Sequence, residues 1–172
     1  MWGVQSKEES LKIILVTGAA GFIGSHTAQI LASRGDKVIG LDNLNDYYDP
    51  AQKRANLEEV RQVLTKSGQA NAFDFVEGDI RDQKLVAEIF AVYSFDAIVH
   101  LAAETGTGQS MYEIHKYNDV NIMGTANMLE LLANTKHKVE KMLIASSRAI
   151  YGEGKYLCPN HAETYPSQRK ES

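Results

Sequence analysis

The stretch Thr17-Gly18-Ala19-Ala20-Gly21-Phe22-Ile23-Gly24, TGAAGFIG in one-letter code, decides the fold of this chain because it joins a predicted strand to a predicted helix. Residues 11–16 before it end in a run of apolar side chains with no polar face, which is typical of a strand buried in a parallel sheet. Residues 22–34 after it keep their apolar side chains on one narrow face, which predicts a helix that Gly35 ends. The glycines therefore lie at a strand-to-helix turn.

A turn of this kind is suited to binding a phosphate. The first amides of a helix have no partner within the helix, and the helix N-terminus carries a partial positive charge. Glycines permit a tight bend and let a pyrophosphate approach the backbone, so Gly18, Gly21 and Gly24 predict a dinucleotide site. A close-packed turn that binds no ligand is the alternative interpretation.

Asp42 supports the dinucleotide interpretation. It follows the second predicted strand, residues 37–41, and lies about 20 residues past the glycines, where an acid accepts hydrogen bonds from an adenosine ribose. A carboxylate in this position repels a ribose 2′-phosphate, so Asp42 favours NAD over NADP as the cofactor. A solvated acid that caps the following loop is the alternative.

Size and composition exclude several classes of protein. The 172 residues suffice for one domain or for a truncated piece of a larger protein, and a hydrophobic content of 44% is enough for a packed core. The net charge of −4 argues against a nucleic-acid partner, and the single cysteine, Cys158, excludes an internal disulfide. No apolar run approaches the ~20 residues of a membrane span, and the first ten residues lack the apolar core of a signal peptide. We expect a cytoplasmic protein without a membrane partner.

Strands and helices alternate along the rest of the chain. Further strands are predicted at 73–76, 96–101 and 141–145, and further helices at 51–66, 83–93 and 117–133. This order predicts an α/β fold of the Rossmann type, a doubly wound parallel sheet with five strands. Residues 1–10 are assigned to an N-terminal tail, 11–151 to the NAD-binding domain and 152–172 to an irregular tail. The fifth strand would then be a sheet edge with one uncovered face.

Six motifs follow one another in the order and spacing of a known family. They are TGAAGFIG (17–24), LDNLNDYYD (41–49), GDIRD (78–82), HLAA (100–103), Tyr117-x3-Asn121-x2-Gly124-Thr125, and SSRAIYG (146–152). With them the chain resembles the extended short-chain dehydrogenase/reductase family, the NAD-dependent nucleotide-sugar epimerases and dehydratases. The wording HLAAETGTGQSMY and SSRAIYGEGKY is similar to dTDP-L-rhamnose 4-epimerase types, and NLNDYYDP is similar to UDP-glucuronate 4-epimerases.

The resemblance implies a role for each matching residue. It implies that the pyrophosphate of NAD is bound by Gly18, Gly21, Phe22, Ile23 and Gly24, and that the adenosine ribose is bound by Asp42 and Asn43. It implies that the adenine is flanked by Asp79 and Ile80. It implies that the nicotinamide side is lined by Leu101, Ala102, Ala103 and Asn121. It also implies that Ser147 hydrogen-bonds the reacting sugar oxygen. The partner would be a nucleotide sugar, and members of the family are commonly homodimers.

The family also needs a Tyr-x3-Lys pair on a helix that follows the serine. The sequence has two matches, Tyr112/Lys116 and Tyr151/Lys155. The first comes one crossover too early, and the second lies only four residues past Ser147 among glycines that disfavour a helix. We interpret both as chance matches and expect the chain to be an inactive N-terminal part, cut before the last strands and the substrate lobe.

Three kinds of function are consistent with the sequence. A nucleotide-sugar epimerase is favoured over a dehydratase or reductase, because the expected acid of the dehydratases is absent from Ser147-Arg148-Ala149. A non-catalytic dinucleotide-binding module is the other alternative. No metal site is predicted, although Cys158 and His161 have the spacing of two zinc ligands and a longer protein could supply two more. His100 is interpreted as a framework residue.

Overall fold

The computed structural model describes residues 11–151 and 154–166. The strands of these ranges are β1 (Ile13–Thr17), β2 (Lys37–Asp42), β3 (Phe73–Glu77), β4 (Ala97–His100), β5 (Lys141–Ile144), β6 (Tyr156–Cys158) and β7 (Ala162–Thr164). The α-helices are α1 (Phe22–Ser33), α2 (Pro50–Lys66), α3 (Gln83–Val92), α4 (Ile114–Asn118) and α5 (Thr125–Asn134). In the described part of the chain, no helix is both long enough and apolar enough to cross a membrane.

Five of the strands form one parallel sheet in the order β3-β2-β1-β4-β5. The chain thus starts in the middle of the sheet, moves outward to β3 and then crosses to β4. This confirms the predicted doubly wound α/β fold. The order changes direction between β1 and β4, and a ligand crevice in such sheets lies at the carboxyl ends of the strands at that point.

The side chains of β1 point alternately into two hydrophobic cores. Ile14 and Val16 belong to a cluster that α1 and α2 cover, whereas Leu15 belongs to a second cluster that α3 and α5 cover. All three side chains are at most 4% exposed. Burial of both faces explains the apolar run that follows Lys12, because a strand in the centre of such a sheet has no solvent side.

The edge strand β5 is covered much less well. Leu143 is 52% exposed and Ile144 is 49% exposed, although β5 pairs with β4 along its whole length. The expected sheet edge with an uncovered face is therefore present in the described structure.

The predicted helix at 117–133 is present but contains a π-helical turn. The helix runs through α4, a π segment over Asp119–Gly124, and α5. Gly124 packs on the side chain of Ile80, because a Cβ at Gly124 would lie 2.5 Å from Ile80 Cδ1. Ile80 itself is buried, with 4% of its surface exposed. Periodicity does not predict the π turn, since it depends on the neighbouring segment.

The prediction of an irregular tail after residue 151 is wrong for part of that segment. β6 and β7 form an antiparallel hairpin in which Cys158 pairs with Ala162. The three residues between the strands turn the chain, and Ala162, the first residue of β7, has a φ of +56°. Three-residue strands are too short to show an alternating pattern, which is why the sequence did not reveal them.

Candidate dinucleotide-binding site

Two glycines of the turn after β1 are required by packing. Gly18 has a φ of +72°, and a Cβ there would lie 2.9 Å from backbone atoms of Leu101 and Ala102. A Cβ at Gly24 would overlap the carbonyl oxygen of Gly18. The Gly18 amide also donates to the carbonyl of Leu41 at 2.8 Å. The glycines thus let α1, the end of β2 and the segment after β4 meet at the turn.

The third glycine, Gly21, has a single close neighbour at the start of α1. The atom nearest to a Cβ placed on Gly21 is the Gly18 carbonyl oxygen at 3.3 Å, and no other described atom outside the immediate chain neighbours lies within 4 Å. Gly21 is the N-cap of α1, and no side chain of the described residues caps that end. Phe22 and Ile23 are 78% and 64% exposed. The first amides of α1 thus have no side-chain partner among the described residues, and such amides can bind an anion.

Asp42 lies beside this turn and is buried rather than solvated. The Ala20 amide donates to Asp42 Oδ2 at 3.1 Å, and the Leu44 amide donates to Oδ1 at 2.9 Å. Lys53 Nζ lies 3.6 Å from Oδ1, and the side chains of Asp42 and Lys53 are only 7% and 10% exposed. Because a carboxylate has about four acceptor positions, Asp42 keeps capacity for a ribose hydroxyl. The buried lysine is a neighbour that the sequence pattern did not reveal.

Asn43 and Asp79 come together at the ends of β2 and β3. Asn43 Nδ2 donates to Asp79 Oδ2 at 2.8 Å, and the Arg81 side chain donates to both oxygens of Asp79 at 2.9 Å. Partial burial alone would raise the pKa of Asp79, but the hydrogen bonds from Arg81 and Asn43 outweigh it and lower the pKa to about 2. Arg81 also donates to Asp119 at 3.0 Å. The hydrogen bonds to Asp79 and Asp119 raise the pKa of Arg81.

His100 is a satisfied framework residue, as expected. Its Nδ1 lies 2.6 Å from Thr17 Oγ1, and its Nε2 lies 3.0 Å from Thr125 Oγ1. The Thr125 hydroxyl donates its proton to the Asn121 carbonyl at 2.8 Å, so Nε2 carries the proton and Nδ1 accepts from Thr17. Burial lowers the pKa of His100 to about 4. The imidazole is therefore neutral and joins β1, β4 and α5.

Thr17 also orients the segment after β4. Thr17 Oγ1 accepts hydrogen bonds from the amides of Leu101 at 3.2 Å and Ala102 at 3.1 Å. Leu101 and Ala102 are half-buried, and Ala103 beyond them is exposed. The three residues assigned to the nicotinamide side thus begin directly above the glycine turn, where Gly18 touches Leu101 and Ala102.

Asn121 has a structural task that the sequence did not reveal. Its Oδ1 accepts from the Glu104 amide at 2.8 Å, and its Nδ2 donates to the Glu104 carbonyl at 3.0 Å. The π turn presents Asn121 to the segment after β4 in this way. Glu104, also missed, is 6% exposed, and its side chain connects the two loops above the sheet. A buried carboxylate directly after the HLAA motif has no local signature.

Ser147 lies on the exposed side of the site. It follows β5, whose last residue pairs with His100, and its side chain is exposed. The two Tyr-x3-Lys matches are not placed on one helix: Tyr112 precedes α4, and Lys155 precedes β6, where it pairs with Glu163. Tyr151 ends a short 3-10 turn and is 85% exposed. Residues 152 and 153 lie outside the described ranges.

The hairpin brings the two residues with zinc-ligand spacing into contact. Cys158 Sγ lies 3.2 Å from His161 Nδ1. No group of three or more potential metal ligands occurs among residues 11–151 and 154–166. The described residues thus supply two ligands at this hairpin, and two ligands do not close a tetrahedral zinc site.

A comparison with known protein families identifies the family of this chain. The model of the family described as GDP-mannose 4,6 dehydratase matches residues 15–169. The chain belongs to this family of NAD-dependent epimerases and dehydratases. The six motifs, which carried the resemblance at the level of sequence, lie within the matched range.

Two characterised relatives of the family are epimerases. The chain is 44% identical to UDP-glucuronate 4-epimerase 4 of Arabidopsis thaliana over 139 residues, which are 81% of this chain and 30% of that protein. It is 37% identical to a dTDP-L-rhamnose 4-epimerase of Burkholderia thailandensis over 158 residues, which are 92% of this chain and 40% of that protein. The chain thus spans less than half the length of these relatives.

Two solved structures of the family share the fold. The structure of UDP-glucose 4-epimerase from Bifidobacterium longum in complex with NAD+ and UDP has a TM-score of 0.66 and 33% identity, with 81% of this chain and 38% of that chain covered. The structure of the dTDP-glucose 4,6-dehydratase DesIV from Streptomyces venezuelae, with NAD and TYD bound, has a TM-score of 0.60 and 35% identity, with 76% and 38% covered.

Proposed function

We propose that the chain is the NAD-binding part of a nucleotide-sugar epimerase. The observation that carries this proposal is the start of α1, which no side chain of the described residues caps, beside the buried carboxylate of Asp42. The start of α1 suits a pyrophosphate, and the carboxylate suits a ribose. The NAD bound in related enzymes supports the choice of cofactor. When bound, NAD+ would supply a reversible acceptor for a hydride from a sugar carbon.

Each predicted residue then has a task within reach of its position. The amides of Phe22, Ile23 and Gly24 would bind the pyrophosphate, and Asp42 would accept a ribose hydroxyl proton in a hydrogen bond. Asn43 and Asp79 would border the adenosine, together with the main chain of Ile80. The alternating sheet topology puts residues 101–103 on the opposite side of the glycine turn, where they would line the nicotinamide.

Ser147 would hydrogen-bond the reacting sugar hydroxyl, but the chain needs a base to remove the proton. A tyrosine is a poor base at its ordinary pKa of about 10 and needs a nearby lysine to stabilise the phenolate. We expect this pair, and the substrate lobe, in a longer protein, and we expect these 172 residues alone to be inactive. Turnover of UDP-glucuronate or dTDP-rhamnose by the purified chain, abolished by Tyr151→Phe, would refute this expectation.

The family also contains dehydratases, which remain the second candidate. The similarity to a dTDP-glucose 4,6-dehydratase supports them, whereas the missing acid in Ser147-Arg148-Ala149 supports an epimerase or a reductase. A non-catalytic cofactor-binding protein is the third. A Tyr-x3-Lys pair in the next crossover of the longer protein would exclude it. The homodimer and the cytoplasmic location stay predictions from the sequence.

Titration of NAD and NADP into the wild-type chain and into Asp42→Ala tests the proposal. We expect the wild type to bind NAD at least tenfold more tightly than NADP, because the 2′-phosphate would meet the Asp42 carboxylate. Asp42→Ala should lower the affinity for NAD by about tenfold, which corresponds to the loss of one charge-assisted hydrogen bond. It should also reduce the ratio between the affinities for NAD and NADP. Asp46→Ala, which removes an exposed acid of the same loop, is the matched control. Equal affinity of the wild type for both cofactors would contradict the role of Asp42.

A further inference from the structure

Glu104 is a buried carboxylate that directly follows the HLAA motif and to which the resemblance assigns no role. Its side chain is 4% exposed, and Oε1 accepts a hydrogen bond from Asn45 Nδ2 at 2.9 Å. Oε2 has no hydrogen-bond partner among the described residues, and Lys116 Nζ lies 3.6 Å from it. Burial of a carboxylate destabilises a fold unless charges of opposite sign compensate it. The burial of Glu104 therefore suggests that its side chain has a role.

The contacts of Glu104 continue to the acid that is assigned to the ribose. Asn45 Oδ1 accepts a hydrogen bond from Lys53 Nζ at 2.6 Å, and Lys53 Nζ lies 3.6 Å from Asp42 Oδ1. The chain of contacts from Asp42 to Lys116 thus alternates in charge: an acid, a base, a neutral amide, an acid and a base. Its inner members are largely buried, where screening by water is weak.

The main chain of Glu104 is held independently of its side chain. Asn121 accepts from its amide and donates to its carbonyl, so the segment 101–106 is fixed to the π turn. The side chain therefore makes a separate contact, with Asn45 of the loop 43–49 between β2 and α2. The loop and the segment meet a second time at Gly106, where a Cβ would lie 2.8 Å from Tyr47 Oη.

We propose that Glu104 is a positioning residue that locks the loop 43–49 onto the segment 101–106 and so preorganises the adenosine side of the dinucleotide site. The loop begins at Asn43, directly after Asp42, so its position decides where both residues meet a ribose. A fixed loop avoids the cost of ordering at the moment of binding. The ligand class is an adenosine diphosphate, free or as half of a dinucleotide. The affinity part of the proposal rests on the proposed function.

The test compares Glu104→Ala with Glu113→Ala in the 172-residue chain. Glu113 is the matched control, because it is an exposed carboxylate that also pairs with Lys116, at 3.3 Å. We measure hydrogen exchange of the amides of residues 43–49 and 13–17, and the dissociation constants of ADP and NAD by calorimetry. Glu104→Ala should speed exchange in 43–49 about tenfold, leave 13–17 unchanged, and weaken both ligands about tenfold. Glu113→Ala should change each quantity less than twofold.

Asn45→Ala provides a second variant if Glu104→Ala does not fold. It removes the same hydrogen bond from the loop and should reproduce the faster exchange and the weaker ADP binding. In the variant that carries both substitutions, the loss of ADP affinity should be smaller than the sum of the two single losses, because each substitution removes the hydrogen bond between Asn45 and Glu104.

The outcomes separate the two proposals. Binding of NAD by the wild type, with unchanged exchange in 43–49 and unchanged affinity in both variants, would overturn the role of Glu104 alone. Faster exchange spread equally over 13–17 would also overturn it, since it would show a general loss of stability. A wild type that binds neither ADP nor NAD would refute the proposed function, while the exchange data would still decide the position of the loop.

Discussion

The two ends of the carboxyl edge of the sheet differ in how far they are built. At the β1–β2 end, the glycine turn and Asp42 are each held by at least two hydrogen bonds. At the β5 end, Ser147 and the strand before it are exposed, and Leu143 has half its surface in solvent. The predicted cofactor side of the sheet edge is therefore densely packed, whereas the side assigned to the sugar is exposed in the described structure.

The largest expected effect is the difference in stability between substitution of a close-packed glycine, Gly24, and of an unpacked glycine, Gly108. Gly24→Ala should destabilise the chain by about 3 kcal/mol or more, because the added Cβ would overlap the Gly18 carbonyl and overpacking has no room to relax there. Gly108→Ala is the control, since a Cβ at Gly108 meets no described atom within 4 Å. Urea denaturation measures both. A Gly24→Ala variant as stable as Gly108→Ala would show that the turn at the cofactor end is not close-packed.

The next effect concerns the pH dependence of the buried end. His100 has an ordinary pKa of 6.5 and a pKa of about 4 in the folded chain, so the unfolded state binds more protons between these values. The stability from His100 is complete above pH 6.5 and is lost as the pH falls toward 4. At about 1.4 kcal/mol for each pKa unit, the loss is of the order of 3 kcal/mol.

Denaturation of the wild type and of His100→Gln at several pH values checks this window. The difference between the two free energies of unfolding should shrink as the pH falls from 6.5 to 4, because only the wild type carries the imidazole. A constant difference would mean that His100 is not held neutral by burial. The lowered pKa of Asp79 acts below this window, between its ordinary value of 3.8 and about 2.

The smallest effect lies at the open end. Leu143→Ala should cost less than about 1.5 kcal/mol, because half of the side chain is exposed already. Ile98→Ala in the adjacent strand should cost about 2–5 kcal/mol, since Ile98 is 1% exposed. Thermal or urea unfolding of the pair gives the ratio. Equal costs would show that β5 is covered as well as β4 in solution.

Much of the cofactor side could be predicted from the sequence because its signals are local. A buried strand, a glycine turn and a helix follow one another within 21 residues, and the carboxylate of Asp42 comes at the end of the next strand. Backbone sterics require glycine where φ is positive, as at Gly18, so the sequence shows it directly. The order of strands and helices then determines the doubly wound sheet.

Only the tertiary structure decided which side chains support these residues. Glu104 meets Asn45 across 59 residues of chain, and the π turn that holds the Glu104 backbone depends on packing between Gly124 and Ile80. Burial of Lys53 likewise depends on how α2 lies against β2. Local spacing carries no information about such pairs, because their distances follow from the way separate elements pack. The sequence therefore determined the fold, and the packing decided which side chains hold the predicted cofactor residues in place.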